Sequence, residues 1–198
     1  MTSPFLPKEY EVSGGTGANY MKFIVGENKL RILASPIIGW EWWVDKEGNP
    51  RIKDAKPQKG DKPVRVAKDS GNDIPADAGD TIREFWALPV YNYQEKKVQV
   101  LELTQKRIMR TVHSLAKDKE WGSPLGYDLL ILRTGEGLDT DYDTLPQPPK
   151  ELAKEVQEAW EKVEAKGFDL NRLFENGDPF GGQVSGSTAG DDPSGLVS

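Results

Sequence analysis

Asp139, Asp141 and Asp143 stand at alternate positions, the spacing with which an oxygen cage for calcium opens. Such a loop needs glycine at its sixth position and glutamate at its twelfth, where this chain has Thr144 and Lys150. The three carboxylates therefore read as part of a solvated connection. His113, the single histidine, lies between Val112 and Ser114 in a helical stretch, a surface or packing position rather than that of a base or ligand. The absence of cysteine excludes disulfides and thiolate metal sites, and no Ser-His pair can be assembled. Gly14-Gly15-Thr16-Gly17 lacks the Lys-Ser/Thr that closes a phosphate loop, and Gly135 and Gly137 lack the third glycine of a dinucleotide fingerprint. The residues thus argue for no enzyme, no metal and no cofactor.

Aromatics and cations offer a different chemistry. Trp40, Trp42, Trp43, Trp86, Tyr91 and Tyr93 flank a basic stretch, residues 46–68, in which eight cations (Lys46, Arg51, Lys53, Lys56, Lys59, Lys62, Arg65, Lys68) face three acids. Residues 1–135 hold 21 Lys/Arg against 18 Asp/Glu, whereas residues 136–198 hold 5 against 14, so a net charge of -6 conceals a basic patch. Flat π-faces beside mobile cations suit unpaired bases and their phosphates, held without reading sequence. Taken singly, a strand tryptophan belongs to the core and a charge run to a solvated loop. Six tryptophans, three of them within four positions, exceed what one small core needs.

The elements that must position these residues follow from periodicity. Residues 22–25 and 29–33 read as extended chain, and Ile37 to Val44 as strand, with Pro36 or Gly39 marking a bulge or bend in one long first strand. Alternation sends Trp40 and Trp42 to one side and Trp43 to the other. Residues 45–80 carry loop signals throughout. Residues 83–93 and 98–104 form a hairpin whose first strand has Phe85, Ala87, Pro89, Tyr91 and Tyr93 on one face and Trp86, Leu88 and Val90 on the other. Pro89 argues for an edge or a bulge. Over 105–118 the period becomes helical, with Ile108, Met109, Val112, Leu115 and Ala116 in a stripe and Thr104 as cap. Strands follow at 127–134 and 140–145. A helix over 150–166, opened by Pro148-Pro149, carries Leu152, Val156, Trp160 and Val163 on one face.

This order predicts a mainly β fold with helices: a five-stranded Greek-key barrel of the OB type with a helix between its third and fourth strands, a mixed α+β sheet being the alternative. The low apolar fraction of 36% implies appendages. Residues 1–20 read as a flexible arm, 21–145 as the barrel, 146–176 as a helical segment and 177–198 as a disordered, Gly/Ser-rich tail. No run is long enough to span a membrane and no signal peptide opens the chain, which predicts a cytosolic protein.

Several stretches, taken in order, resemble the single-stranded DNA-binding proteins of tailed phages. They are Gly26-Glu27-Asn28-Lys29-Leu30-Arg31-Ile32-Leu33 with its continuation from Pro36 to Glu41, Trp86-Ala87-Leu88-Pro89-Val90-Tyr91-Asn92-Tyr93, Leu103-Thr104-Gln105, and Gly135-Glu136-Gly137-Leu138-Asp139-Thr140. The resemblance spans about residues 20–145. It implies an OB-fold protein that coats unpaired DNA in phage replication, recombination and repair, in the host cytoplasm, without the zinc that some relatives hold in a Cys/His cluster. Bacterial relatives end in an acidic tip closing on Pro-Phe, whereas here Asp178-Pro179-Phe180 is internal.

Trp40, Trp42, Trp43, Trp86, Tyr91 and Tyr93 are then the candidate stacking platforms, and Lys29, Arg31, Arg51, Lys53, Lys56, Lys59, Lys62, Arg65 and Lys106 the phosphate contacts. The acidic region from Glu151 onward is expected to screen the basic groove and to dock replication or recombination proteins, with self-association on DNA a further expectation. A carbohydrate-binding module would explain the aromatics but not the cations. An assembly protein would use the aromatics at an interface.

Overall fold

Alternating apolar residues make the strands, and their registers fix what each face meets. The computed structural model describes residues 19–51, 59–69 and 82–181. Its elements are strands β1 (Gly26–Ile32), β2 (Ile37–Val44), β3 (Lys62–Ala67), β4 (Arg83–Asn92) and β5 (Lys97–Leu103), helix α1 (Lys106–Lys117), strands β6 (Asp128–Thr134) and β7 (Asp141–Pro146), and helix α2 (Lys154–Ala165). A 3-10 turn, Leu170–Glu175, follows α2. The fold is mainly β: one seven-stranded antiparallel sheet in the order β3-β2-β4-β1-β6-β7, with β5 on the other edge of β4.

β1 and β2 are two halves of a bent run that share one edge of β4. Ile32 lies opposite Val90, Ile37 opposite Ala87, and the chain between them leaves the ladder. Beyond the bend the outer edges diverge, β1 taking β6 and β2 taking β3. Pro89 is tolerated in this central strand because a strand residue's N–H and C=O point to the same side. The Pro89 carbonyl accepts from Leu33 N at 3.0 Å, so the donor that proline lacks would have pointed into the bend.

The sheet is open: among the described residues no ladder joins β5 to β7, and α1 packs against both strands. A closed barrel would require that ladder. The larger core lies on the concave side, where Leu30 and Ile32, Leu88 and Val90, Leu101 and Leu103, and Leu129 and Ile131 meet Ile108, Met109 and Val112 of α1. These α1 residues belong to the stripe read from the sequence. Thr104 is not the cap, since Gln105 holds that position without a side-chain hydrogen bond.

The convex side of β4 and β5 is covered as well. Phe85, Ala87 and Val100 pack against Leu170 and Leu173, with Phe168, Phe174 and Phe180 around them. Tyr91 and Val98 pack against Val156, with Leu152, Trp160 and Val163 beside it. The helical segment after 146 is thus a second layer on the sheet. It begins at Lys154 rather than 150, because residues 147–150 run extended along β6 and its neighbours, Gln147 N donating to the Asp128 carbonyl and Lys150 N to that of Gly126.

Two further expectations need correction. The stretch 45–80 is not loop throughout, since Lys62–Ala67 forms β3 against β2. The segment expected to be disordered from 177 is packed as far as Gly181, Phe180 meeting Phe168 edge-on at 5.0 Å. Residues 182–198 and 1–18 lie outside the described residues. No helix among the described residues is long and apolar enough to cross a membrane.

Gly39 lies where β2 is pressed between β3, β4 and the 170–175 turn. A Cβ there would meet the Val66 carbonyl oxygen and lie 2.7 Å from the Phe85 ring and 3.1 Å from Phe174. Gly39→Ala is expected to destabilise by about 1–3 kcal/mol through overpacking, read as a lower denaturant midpoint at unchanged slope.

Candidate nucleic-acid interface

Thirteen of the fifteen predicted contact residues lie among the described residues, and they divide among three environments. The first is a buried ion cluster. Asp128, at the start of β6, is fully buried; its Oδ1 accepts from Tyr93 OH at 2.9 Å and from Arg31 Nη1 at 3.3 Å, and its Oδ2 lies 2.7 Å from Lys150 Nζ and 3.4 Å from Lys29 Nζ. Arg31, 3% exposed, also donates to the Leu125 and Lys150 carbonyls. Lys29 and Lys150 sit 4.8 and 5.7 Å from the Tyr93 ring centre. Arg31 is thereby held inside the fold, and the Tyr93 hydroxyl and the Lys29 ammonium are engaged by the same carboxylate. Tyr91 is also lost to the expected platform: it is 2% exposed under α2 and donates to Glu155 at 3.0 Å. Burial, then the bond to Glu155, pushes its hydroxyl pKa up.

The second environment is the face of β2 that carries Glu41 and Trp43. Arg65, opposite Glu41, is held by that carboxylate at 2.7 Å and by Glu102 at 3.1 Å, while Arg51 makes a two-pronged pair with Asp61 at 2.7 and 2.9 Å. Neither arginine is an unpaired cation. Trp43 stays half-buried beside a groove.

The third environment keeps the expected character. Register places Trp40 opposite Glu84 and Ile38 opposite Trp86, so both indoles lie on the concave side of β2 and β4. Trp42 shares that side but is 5% exposed and serves packing. Trp40 is partly open, with Lys68 Nζ 5.4 Å from its ring centre and 2.7 Å from Glu84. Past Glu84 opens a cavity of about 310 Å³ lined by Trp86, Met109, Lys106, Arg110 and His113. Lys106, Arg110 and His113 are exposed and have no ion-pair partner among the described residues. The buried Nε1 of Trp86 has no hydrogen-bond partner among the described residues either. Lys62, opposite Val44, is exposed on the same side, and Lys59 is exposed in the turn before β3. Lys53 and Lys56 lie outside the described residues.

Of the residues expected from the sequence, Trp40, Trp86, Lys62 and Lys106 lie on this side, together with Lys68, Arg110 and His113, which the sequence reading did not place among the contacts. The signal for Arg110 was present: it falls one helical turn after Lys106, on the polar side of the α1 stripe. The aspartates of the false calcium loop also have a purpose, Asp141 and Asp143 each meeting Arg107 at 2.6 Å and tying β7 to α1. Among the described residues no acid or histidine group could hold a metal ion. Compared with family models, curated proteins and solved structures, the chain matches none.

Asp128 also links the stability of this cluster to pH. Burial alone would raise its pKa, but the hydrogen bonds from Lys150 and Tyr93, the Lys150 charge and the bond from Arg31 outweigh burial and hold it below the ordinary carboxylate range. A depressed folded-state pKa gives stability that is present above the unfolded value of about 4 and is lost as pH falls through the folded one. Asp128→Asn is expected to cost about 3 kcal/mol at neutral pH, by leaving Arg31 buried without its counter-charge. The substitution should also flatten the acid limb of a stability-versus-pH profile below pH ~4.

Proposed function

We propose that this protein binds single-stranded DNA without sequence preference, through the concave groove that joins Trp40 and Trp86 to the polar side of α1. The observation that carries this reading is the convergence of two partly open indoles with Lys62, Lys68, Lys106, Arg110 and His113 on one side of the β2-β3-β4 ribbon. Successive bases stack on indoles irrespective of their identity, and the cations line the path of the phosphates. Glu84 is the one acid lining the cavity, and Lys68 neutralises it.

The strand order supports an OB-type barrel as the finer description. A bent first strand (β1-β2), a hairpin (β4-β5), a helix and two returning strands (β6-β7) follow the expected sequence of elements, with β3 an insertion in the first connection and α1 standing between β5 and β7. In such barrels nucleic acid lies across the sheet between two connections, and here the 45–82 connection contributes β3 and Lys68. On this reading the protein coats unpaired strands in phage replication, recombination and repair in the host cytoplasm. Replication or recombination proteins dock on the acidic C-terminal region, and copies associate along the strand. Screening of the groove by that region falls to residues beyond α2, because α2 itself packs on the convex side.

Titration with oligo(dT) across a salt series tests the reading through tryptophan fluorescence. Quenching is expected, with affinity falling steeply as salt rises. Trp40→Ala should cost about 1–3 kcal/mol of binding. The Lys106→Ala, Arg110→Ala pair should lower the slope of log K against log salt by about 1.4, two phosphates at ~0.7 each. Tyr91→Phe should leave affinity unchanged. Absence of quenching at low salt, or salt-independent binding, would overturn the reading in favour of a sugar-binding or assembly surface.

A further inference from the structure

Glu84 is the one acid lining a cavity otherwise suited to a polyanion. It lies directly opposite Trp40 across the β2-β4 ladder and two residues before Trp86, on the same face of β4. A phosphate gains nothing from a carboxylate there, so the position of Glu84 beside both indoles has to serve another contact. Lys68 is the residue that changes its character. The Lys68 backbone N–H donates to the Ile38 carbonyl at 3.2 Å, which fixes the residue on the β3 side of β2. Its side chain then crosses β2 to reach β4, Nζ donating to Glu84 Oε1 at 2.7 Å and standing 5.4 Å from the centre of the Trp40 ring.

The pair is neutral as a unit, and both side chains stay open to solvent, 43% exposed for Lys68 and 28% for Glu84. A phosphate would have to split it to use Lys68, whereas a base can meet it whole. An ammonium has three N–H groups, of which Glu84 takes one. Glu84 Oε2 is not buried and makes no hydrogen bond among the described residues. Donors and an acceptor thus stand side by side at the rim of the Trp40 ring. Every base carries the complement on its Watson–Crick edge: adenine and cytosine an amino group beside a bare ring nitrogen, guanine and thymine a ring N–H beside a carbonyl oxygen. Turning a base over on the ring reverses the order, so either kind fits. That edge is available to side chains in an unpaired base stacked on an aromatic ring and is turned to the partner strand in a duplex.

We propose that the Lys68–Glu84 pair reads the Watson–Crick edge of the base stacked on Trp40, Glu84 Oε2 accepting from that edge and Lys68 donating to it. This role rests on the single-strand reading, and it makes Glu84 the residue that recognises a strand as unpaired. Stacking and phosphate contacts set how tightly a strand is held, while the pair selects for an open base edge. All four bases satisfy it, so the selection carries no sequence preference.

Labelled oligomers of thymidine and of N3-methylthymidine, equal in length and charge, test this by fluorescence anisotropy on the full chain. The methyl group leaves the ring to stack and the phosphates in place, but it removes the N–H and blocks the edge. The wild type is expected to bind the thymidine oligomer about fivefold more tightly, the worth of one exposed hydrogen bond. Both affinities should fall as salt rises while their ratio holds, because the pair is neutral. Glu84→Ala should bring the ratio below about twofold, and Glu84→Gln, which keeps an acceptor oxygen, should restore most of it. Lys106→Ala should weaken both oligomers and leave the ratio as it is. Equal affinity of the wild type for the two oligomers overturns the role of the pair and leaves the single-strand reading standing, a comparison that needs no variant to fold. A ratio undiminished in Glu84→Ala means that the edge is read elsewhere and overturns the assignment to this pair. Failure of both oligomers to bind overturns the single-strand reading and this role with it.

Discussion

A single buried carboxylate holds the layers of this protein together. Asp128 begins β6, yet its oxygens reach cations and a hydroxyl from β1, the end of β4 and the extended segment before α2. An unpaired carboxylate at that depth would be severely destabilising, so each partner is obliged to stay. Arg31 then fixes the backbone too, by donating to the carbonyls of Leu125 and Lys150. The direction from which α2 approaches the sheet follows from where Lys150 must put its ammonium. With that direction set, Val156 and its neighbours fall on Tyr91 and Val98.

Covering the convex side of β4 has a functional side effect. Tyr91, which would have been part of an aromatic platform, is removed from solvent and Tyr93 is half-buried beside it, while Trp40 and Trp43 stay half-open on the two sides of β2. There the ribbon carries half-buried tryptophans on both sides, Trp40 on one and Trp43 on the other. Its concave side gathers unpaired cations and its convex side holds a guanidinium outnumbered by carboxylates.

Much of this was legible in the sequence wherever local periodicity decides the outcome. The separation of Trp40 and Trp42 from Trp43, the two faces of β4 and the stripe of α1 all follow from alternation or the helical repeat. What local pattern does not carry is pairing. Arg31, Arg51 and Arg65 looked like phosphate contacts because their acids are 97, 10 and 24 positions away. β3 was hidden by Pro63 and the turn formers before it, and becomes a strand only because β2 offers an edge. The apolar side of α2 was visible as a stripe needing a partner, and the outward face of β4 was visible as apolar. Nothing in either segment said that they meet, since that depends on an ion cluster made of residues from four places.

The alternation of β2 reaches beyond binding to how such a chain can vary. Because Trp40 and Trp43 look to opposite sides of one strand, inserting or deleting a single residue between them would bring both indoles to one side and leave the other without its ring. Length changes of two residues would preserve both sides. Sequence drift along this strand is thus confined to substitutions and paired indels, and two surfaces that share no residue are bound to change length together.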